Sequence, residues 1–444
     1  MKKLYRSFFL SKRFFIILIV AALFLSVSFL FPRILGYLVW GLYLFVLAVV
    51  VDIILLYSQK NGISASRLLP DKLSNGDKNP VSIKLKSSYS FKIATEIIDE
   101  LPDQFQMRDF EIKKQLEPNA THTFLYTVRP TERGEFHWEA LRVFVHTALG
   151  LITRRFTFEN HEMVPNYPSF LQMRKYELMA FTNRLRDYGM KKIRRIGHTM
   201  EFEQIKDYVL GDDIRNMNWK ATAKRNQLMI NQFQDEKSQP VYSVIDKGRV
   251  MQMPFEELKL LDYAINATLV ISNIALKKGD KAGMLSFSNQ VQNKVMAQKR
   301  ASQMNLIMET LYNLDTDFKE SDFSRLYIDI KNQITQRSLL LLYSNFETLD
   351  ALHRQLPYLQ AIAKNHLLVV IFFENTELKK MVGEPVKSTR EIFNQTIAQK
   401  FIYEKKLIVN ELNRYGIQTI LTEPQNLTVN TINKYLEIKA RGLL

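Results

Sequence analysis

GHTMEFEQIKDYVLGDDIRNMNWKATAKRNQLMINQF, residues 197–233, is the stretch on which the reading of the whole chain turns. It sets Asp207, Asp212 and Asp213 and the bases Lys206, Arg215, Lys220, Lys224 and Arg225 around Tyr208 and Trp219. Gly211-Asp212-Asp213 follows the apolar Tyr208-Val209-Leu210, the composition of a turn that closes a short element, with aspartate bonding to its own backbone. Ile214 to Trp219 then alternates apolar and polar, which predicts a strand with one buried face. Trp219 is expected to be buried against whatever follows.

Glu201, Phe202, Tyr208, Gly211, Asp212, Arg215, Asn218, Trp219 and Ala223 match in order the pattern E-F-x-x-L-R-x-Y-x-x-G-D-x-x-R-x-I-N-W-x-x-S-A-R. Lys206, Met217, Thr222 and Lys224 are conservative departures from it. The stretch thus resembles the signature of the bacterial family catalogued as domain of unknown function 58. The resemblance implies a membrane-anchored protein with an immunoglobulin-like β-sandwich and a C-terminal α/β domain like that of von Willebrand factor type A. It also implies a partner, a MoxR-type AAA+ ATPase, and a role as adaptor or chaperone component.

At 444 residues the chain holds two or three domains. It has no cysteine, which excludes disulfides, thiolate nucleophiles and cysteine-ligated zinc and suits a reducing compartment. A net charge of +16 would suit nucleic acid, but the bases are spread along the chain with no arginine-rich tract. A lipid bilayer with an anionic leaflet is the expected partner, each nearby base contributing about 1 kcal/mol; nucleic acid is not.

Residues 14–31 run without a charge, and residues 34–57 carry only Asp52. Each is long enough to cross a hydrocarbon core, which takes about 20 apolar residues, and Pro32-Arg33 joins them in a predicted transmembrane helical hairpin within residues 1–60. Ser26-Val27-Ser28 also resembles a signal-peptide cleavage site, though cutting there would leave a second apolar span in front. Lys2, Lys3, Arg6, Lys12 and Arg13 precede the first span, against Arg33 alone in the loop. The positive-inside rule therefore predicts a multi-pass protein of the cytoplasmic (inner) membrane with its soluble domains in the cytoplasm. Asp52 is either an intramembrane functional site or a residue near the inner interface whose carboxylate reaches water.

Residues 63–168 carry short alternating runs, residues 81–86 and 121–128, between turn signals such as Asn75-Gly76-Asp77, which predicts a small β-sandwich. Asp99-Glu100-Leu101-Pro102 and Pro130 to Gly134 match landmarks of the resembled family there. Residues 169–240 hold a helix, the basic run Lys191-Lys192-Ile193-Arg194-Arg195, which could lie on lipid headgroups, and the signature. From residue 241 to 444 strands and helices alternate as in a doubly wound sheet.

In domains of the resembled type a divalent cation sits at the strands' carboxyl ends, held by D-x-S-x-S and later oxygen ligands. Here Asp246 is kept, but Gly248 and Val250 replace both hydroxyls and Asn345 stands where an aspartate is usual. The expectation is a degenerate site with no metal and no cofactor. The acids Glu201, Glu203, Asp207, Asp212 and Asp213 could instead hold magnesium in a metal-dependent hydrolase. However, the interleaved bases can pair with them, and the 7 histidines show no metal-binding spacing and no G-x-S-x-G occurs. The expected function is therefore a non-enzymatic adaptor or scaffold whose partner-binding surface is built from Glu201, Tyr208, Gly211, Asp212, Arg215, Asn218, Trp219, Lys220 and Arg225. Asp212 and Arg215 are expected to hold the loop, and Lys220 and Arg225 to reach an acidic partner.

Overall fold

The computed structural model describes all residues except 1–6, 29–31, 182–200, 210–211, 213, 215–216, 235–237, 386–387 and 444. It forms two compact units, residues 1–167 and 168–444.

The first unit opens with strand β1 (Phe8–Leu10), followed by helices α1 (Lys12–Ser28) and α2 (Pro32–Tyr57). The two helices touch through Phe14 and Phe45, ring centroids 5.4 Å apart. Proline at the first turn of α2 leaves no useful donor unpaired, since that N–H has no partner within a helix anyway. The 23 residues Leu35–Tyr57 are long and apolar enough to cross a membrane.

Ten strands complete this unit: β2 (Ile63–Leu68), β3 (Leu73–Ser74), β4 (Asn79–Ser87), β5 (Ile93–Asp99), β6 (Glu111–Leu116), β7 (Thr121–Val128), β8 (Gly134–Trp138), β9 (Leu141–His146), β10 (Ile152–Phe158) and β11 (Glu162–Tyr167). They make three sheets, in the orders β1-β10-β9-β5-β6, β2-β4-β7 and β3-β11-β8, antiparallel except for the β3–β11 pair. Alternate residues point inward, so Ile83 and Leu85 of β4 share a core with Ile93, Ile97, Val143 and Val145. Asp99 ends β5 inside that unit, accepting from Arg67 and, at 2.5 Å, from the Tyr126 hydroxyl. The N-terminal strand β1 pairs with β10 from Phe8 opposite Arg154 to Leu10 opposite Ile152. Nothing in the periodicity of so short a run foretells that pairing.

Asp52 departs from the expectation. Its carboxylate does not reach water: it is fully buried and accepts from the backbone N–H groups of Leu151 (3.0 Å) and Ile152 (2.9 Å) and from the Thr147 hydroxyl. Five residues on, the end of α2 is met by Arg154, which donates to the carbonyls of Leu56 (2.6 Å), Gln59 (2.7 Å) and Lys60 (2.9 Å). The last carbonyls of a helix have no partner of their own, and a guanidinium there satisfies them and suits the negative end of the helix dipole. The helix and strand β10 are thereby fixed to each other.

The second unit begins with α3 (Phe170–Phe181) and the hairpin strands β12 (Glu201–Asp207) and β13 (Met229–Gln234), between which lies the short helix α4 (Trp219–Arg225). Next come β14 (Pro240–Asp246), the small hairpin β15 (Pro254–Phe255) and β16 (Leu258–Lys259), α5 (Leu260–Lys277), β17 (Lys281–Phe287), β18 (Val291–Gln298), α6 (Gln303–Tyr312), α7 (Phe323–Gln333), β19 (Leu339–Tyr343), α8 (Leu349–Asn365), β20 (Leu367–Phe373), α9 (Thr376–Gly383), α10 (Thr389–Arg414), β21 (Gln418–Thr422) and α11 (Leu427–Ala440).

The six-stranded sheet runs β18-β17-β14-β19-β20-β21, parallel except for the edge strand β18. Residues of α5, α6 and α11 pack on one face and of α7, α8 and α10 on the other. All of β14 is buried, as a central parallel strand must be when helices cover both faces. The sequence expectation missed β18, whose outer residues are largely exposed and polar. It also misread Ile214 to Trp219: among the described residues Met217 makes one isolated bridge to Ile230, and Trp219 begins a helix. The reason is local. Asn218 accepts from Ala221 N–H at 3.0 Å as an N-cap, and Ala221, Ala223, Lys224 and Arg225 behind it favour a helix.

Candidate functional site

Two places in the second unit carry the residues singled out by sequence: the lobe from β12 to β13, and the carboxyl end of β14.

In the lobe, Met229 and Ile230 are buried and the turn is tied to them. Tyr208, half-buried, donates its N–H to Leu228 O (2.8 Å), and Asn218 donates its N–H to Met229 O (2.9 Å). Asn218 also donates from its amide to Asn231 Oδ1 (2.7 Å), while the Thr222 hydroxyl accepts from Met229 N–H (3.0 Å). The helix ends at Asn226, which takes the left-handed conformation (φ 57°) and donates back to Thr222 O. Asp212 accepts from Val209 N–H (3.1 Å) and pairs with Lys206 (3.1 Å). The Val209 hydrogen bond and, after it, Lys206 hold the Asp212 carboxyl below its usual pKa.

Gly211, Asp213, Arg215 and the side chains of Glu201 and Glu203 lie outside the described residues, as does the basic run at 191–195. The expected Asp212–Arg215 pair therefore has no description; the described partner of Asp212 is Lys206. Trp219 overturns its expectation outright. It is 69% exposed, and Ile214, Val209 and Leu228 of the same lobe are exposed too. The strand reading had placed its ring on a buried face; as the first residue of α4 it stands off the lobe instead. Lys220, Lys224 and Arg225 beside it are exposed. A framework of amide and hydroxyl bonds thus presents large apolar side chains and bases to the surroundings.

At the end of β14, Asp246 is buried and both its oxygens are engaged. One accepts from Gly248 N–H (2.8 Å) and the Ser321 hydroxyl, the other from the Ser344 hydroxyl (2.6 Å). Burial pushes the Asp246 carboxyl pKa up, against the pull of those hydrogen bonds. Gly248 is required by space: a Cβ there would stand 2.2 Å from Ser321 Oγ and 2.9 Å from Lys319 O. Ser321 thus fills the volume a side chain at 248 would need. Val250 is half-buried against the sheet core, and Asn345 Oδ1 accepts from the Lys405 ammonium at 2.5 Å. Lys247 stands beside Asp317 at 3.8 Å. As the group stands, hydroxyl and amide donors engage both Asp246 oxygens and the Lys405 ammonium engages Asn345. Ser321, Ser344 and Lys405 were not legible as members of this group, because they come from three separate loops and helices and form no spaced motif.

Comparison with known proteins fits the lobe and the following sheet. A family model described as "Protein of unknown function DUF58" matches residues 204–383. The "Uncharacterized protein YeaD" of Bacillus subtilis (strain 168) is 26% identical over 265 residues, covering 57% of this chain and 64% of that protein. The chain thus spans less than two thirds of that relative's length. Among solved structures, the ASH / PapD-like domain of human CEP192 (PapD-like domain 7) matches 24% of this chain and 87% of its own, at 12% identity and a TM-score of 0.19. At that score it carries no structural argument. The chain resembles the DUF58 family.

Proposed function

We propose that this relative of the DUF58 proteins is a membrane-anchored, non-enzymatic adaptor that presents the β12–β13 lobe to a protein partner. The observation that carries the reading is the exposure of Trp219, Ile214 and Val209 on a lobe whose polar groups hold one another. Several exposed apolar side chains on one lobe mark an interaction surface, and Trp and Arg are enriched where binding energy concentrates. The partner has an acidic surface with an apolar pocket, and a MoxR-type AAA+ ATPase is our candidate.

The anchor is a hairpin of α1 and α2 in the cytoplasmic membrane, with both folded units in the cytoplasm. Outward-facing residues such as Trp40 and Leu44 are exposed on α2, and the pairing of β1 with β10 supports the hairpin. In this reading two crossings carry the chain from residues 8–10 back to the side on which residues 152–154 pair with them. The second unit is read as a von Willebrand factor type A-like domain, and the first as immunoglobulin-like. A metal-dependent hydrolase is the weaker reading, because Asp212 is already committed to Lys206 and Val209.

The test is reconstitution of the purified full chain in detergent with a purified MoxR-type ATPase. Capture is expected with the wild type and lost with Trp219→Ala and with Lys220→Glu. Undiminished capture by both folded variants would sink the docking surface.

A further inference from the structure

A cavity of 540 Å³ opens outside the carboxyl ends of β19, β20 and β21, with walls from α9 and α10. Crevices at that end of a parallel sheet are where open α/β folds hold ligands, and the volume is within the range of small-molecule sites. Its body is apolar, formed by Met253, Phe255, Phe373, Phe401, Ile402 and Leu421.

The charged groups on it are not alike. Lys379 of α9 pairs with Glu374 and, at 3.1 Å, with Glu423, so its charge is met. Lys405 of α10 is different. Its ammonium donates to two neutral acceptors, Asn345 Oδ1 and Phe346 O, both at 2.5 Å, and among the described residues no carboxylate lies within ion-pair distance of it. An ammonium has three donors, and beyond these two oxygens its neighbour is the Phe372 ring, whose centroid is 5.8 Å away. Glu374 and Glu347 line the cavity too, Glu374 on Lys379 and Glu347 beyond ion-pair distance of Lys405, so a carboxylate entering the apolar cavity would give the half-buried ammonium the direct ion pair that the fold does not.

We propose that this cavity binds a small amphipathic monocarboxylate, its aliphatic or aryl body among Phe255, Phe373 and Phe401 and its carboxylate on Lys405 Nζ. The site lies apart from the exposed lobe residues and needs no partner protein.

The test is calorimetric titration of the full chain in lipid nanodiscs, with empty nanodiscs subtracted. The probes are 4-phenylbutanoate, 4-phenylbutan-1-ol and 4-phenylbutan-1-amine. The acid is expected to bind saturably, the alcohol at least tenfold more weakly, and the amine more weakly still. Lys405→Met is expected to weaken the acid at least tenfold and leave the alcohol unchanged. Leu421→Trp, which keeps the lysine and fills the cavity, is expected to weaken both. Equal affinity for acid and alcohol, no saturable binding of the acid, or an acid affinity indifferent to Lys405→Met would overturn the proposal. Should Lys405→Met not fold, reductive methylation of the wild type decides: the acid is expected to slow modification of Lys405 at least fivefold, and an unchanged rate would overturn the proposal.

Discussion

The junction where α2 meets the antiparallel sheets and the lobe between β12 and β13 each reverse the usual placing of residue types, charged ones inside at the first and apolar ones outside at the second. At the junction a carboxylate and a guanidinium are buried, and each finds backbone partners: Asp52 takes the N–H groups of Leu151 and Ile152, and Arg154 takes three carbonyls at the helix end. On the lobe, tryptophan, isoleucine and valine stand outside while the amides and hydroxyls bond one another. At the junction buried charge is partnered by backbone, whereas on the lobe apolar side chains stand out on a frame whose polar groups partner one another. The contrast makes residue type a poor guide to role, and burial with its partners a good one.

The largest effect is expected at the junction. Asp52→Ala strands two backbone donors, at about 1–3 kcal/mol each, so unfolding of the full chain in detergent should shift by about 2–6 kcal/mol. Amide hydrogen exchange at Leu151 and Ile152 should accelerate with it. A variant as stable as the wild type would show the junction to be incidental and blur the contrast.

How far the sequence spoke can be judged from these same residues. The apolar run before Tyr57, the alternation in β4 and the strand–helix rhythm after residue 240 are strong periodic signals, and each appears as an element at its place. Asp52 was visible as an oddity, but its partners are about 100 residues away in sequence, a distance no local pattern spans. Trp219 was misplaced because Ile214 to Trp219 imitates a strand, and the competing signal, the cap at Asn218 with alanines after it, was outweighed. The Asp246 group was half legible: the missing hydroxyls at 248 and 250 were seen, the serines that took over were not.

Next in size is the carboxyl end of β14, where a buried polar group is again fully partnered. Gly248→Ser restores the hydroxyl a cation site would want, yet its Cβ would meet Ser321 Oγ at 2.2 Å. Overpacking of this kind costs about 1–3 kcal/mol. The variant should melt lower than the wild type, and saturating magnesium should rescue neither. A magnesium-dependent rise in the variant's melting temperature would mean the space is more adaptable than the contacts imply.

Asp246 itself gives a smaller, pH-dependent effect. Its pKa is raised in the folded chain, so as pH climbs past the carboxylate's ordinary value the unfolded state releases its proton first. The Asp246 contribution is therefore complete below that ordinary value and is lost as pH rises towards the folded one, by at most about 1.4 kcal/mol per pH unit. Asp246→Asn cannot ionise, so its stability curve should be flatter over that window than the wild type's. Parallel curves in denaturant titrations at several pH values would place the ionisation elsewhere.

The smallest effect on stability, and the sharpest use of the contrast, is at Trp219. With its ring 69% exposed there is little burial to lose, and surface substitutions away from special features stay within about 0.5 kcal/mol. Trp219→Ala should melt with the wild type. Its N-cap partner Asn218 is another matter: Asn218→Ala removes the bond to Ala221 N–H and the one to Asn231, and caps of this kind are worth about 0.5–2 kcal/mol. If the lobe is a docking surface, Trp219→Ala loses the partner while keeping its melting temperature, by 2 kcal/mol or more in binding where the ring is an anchor. Asn218→Ala should lose both together. A tryptophan variant that melts several degrees lower would show the ring to be packed in the working protein, and the lobe would then belong with the junction rather than opposite it.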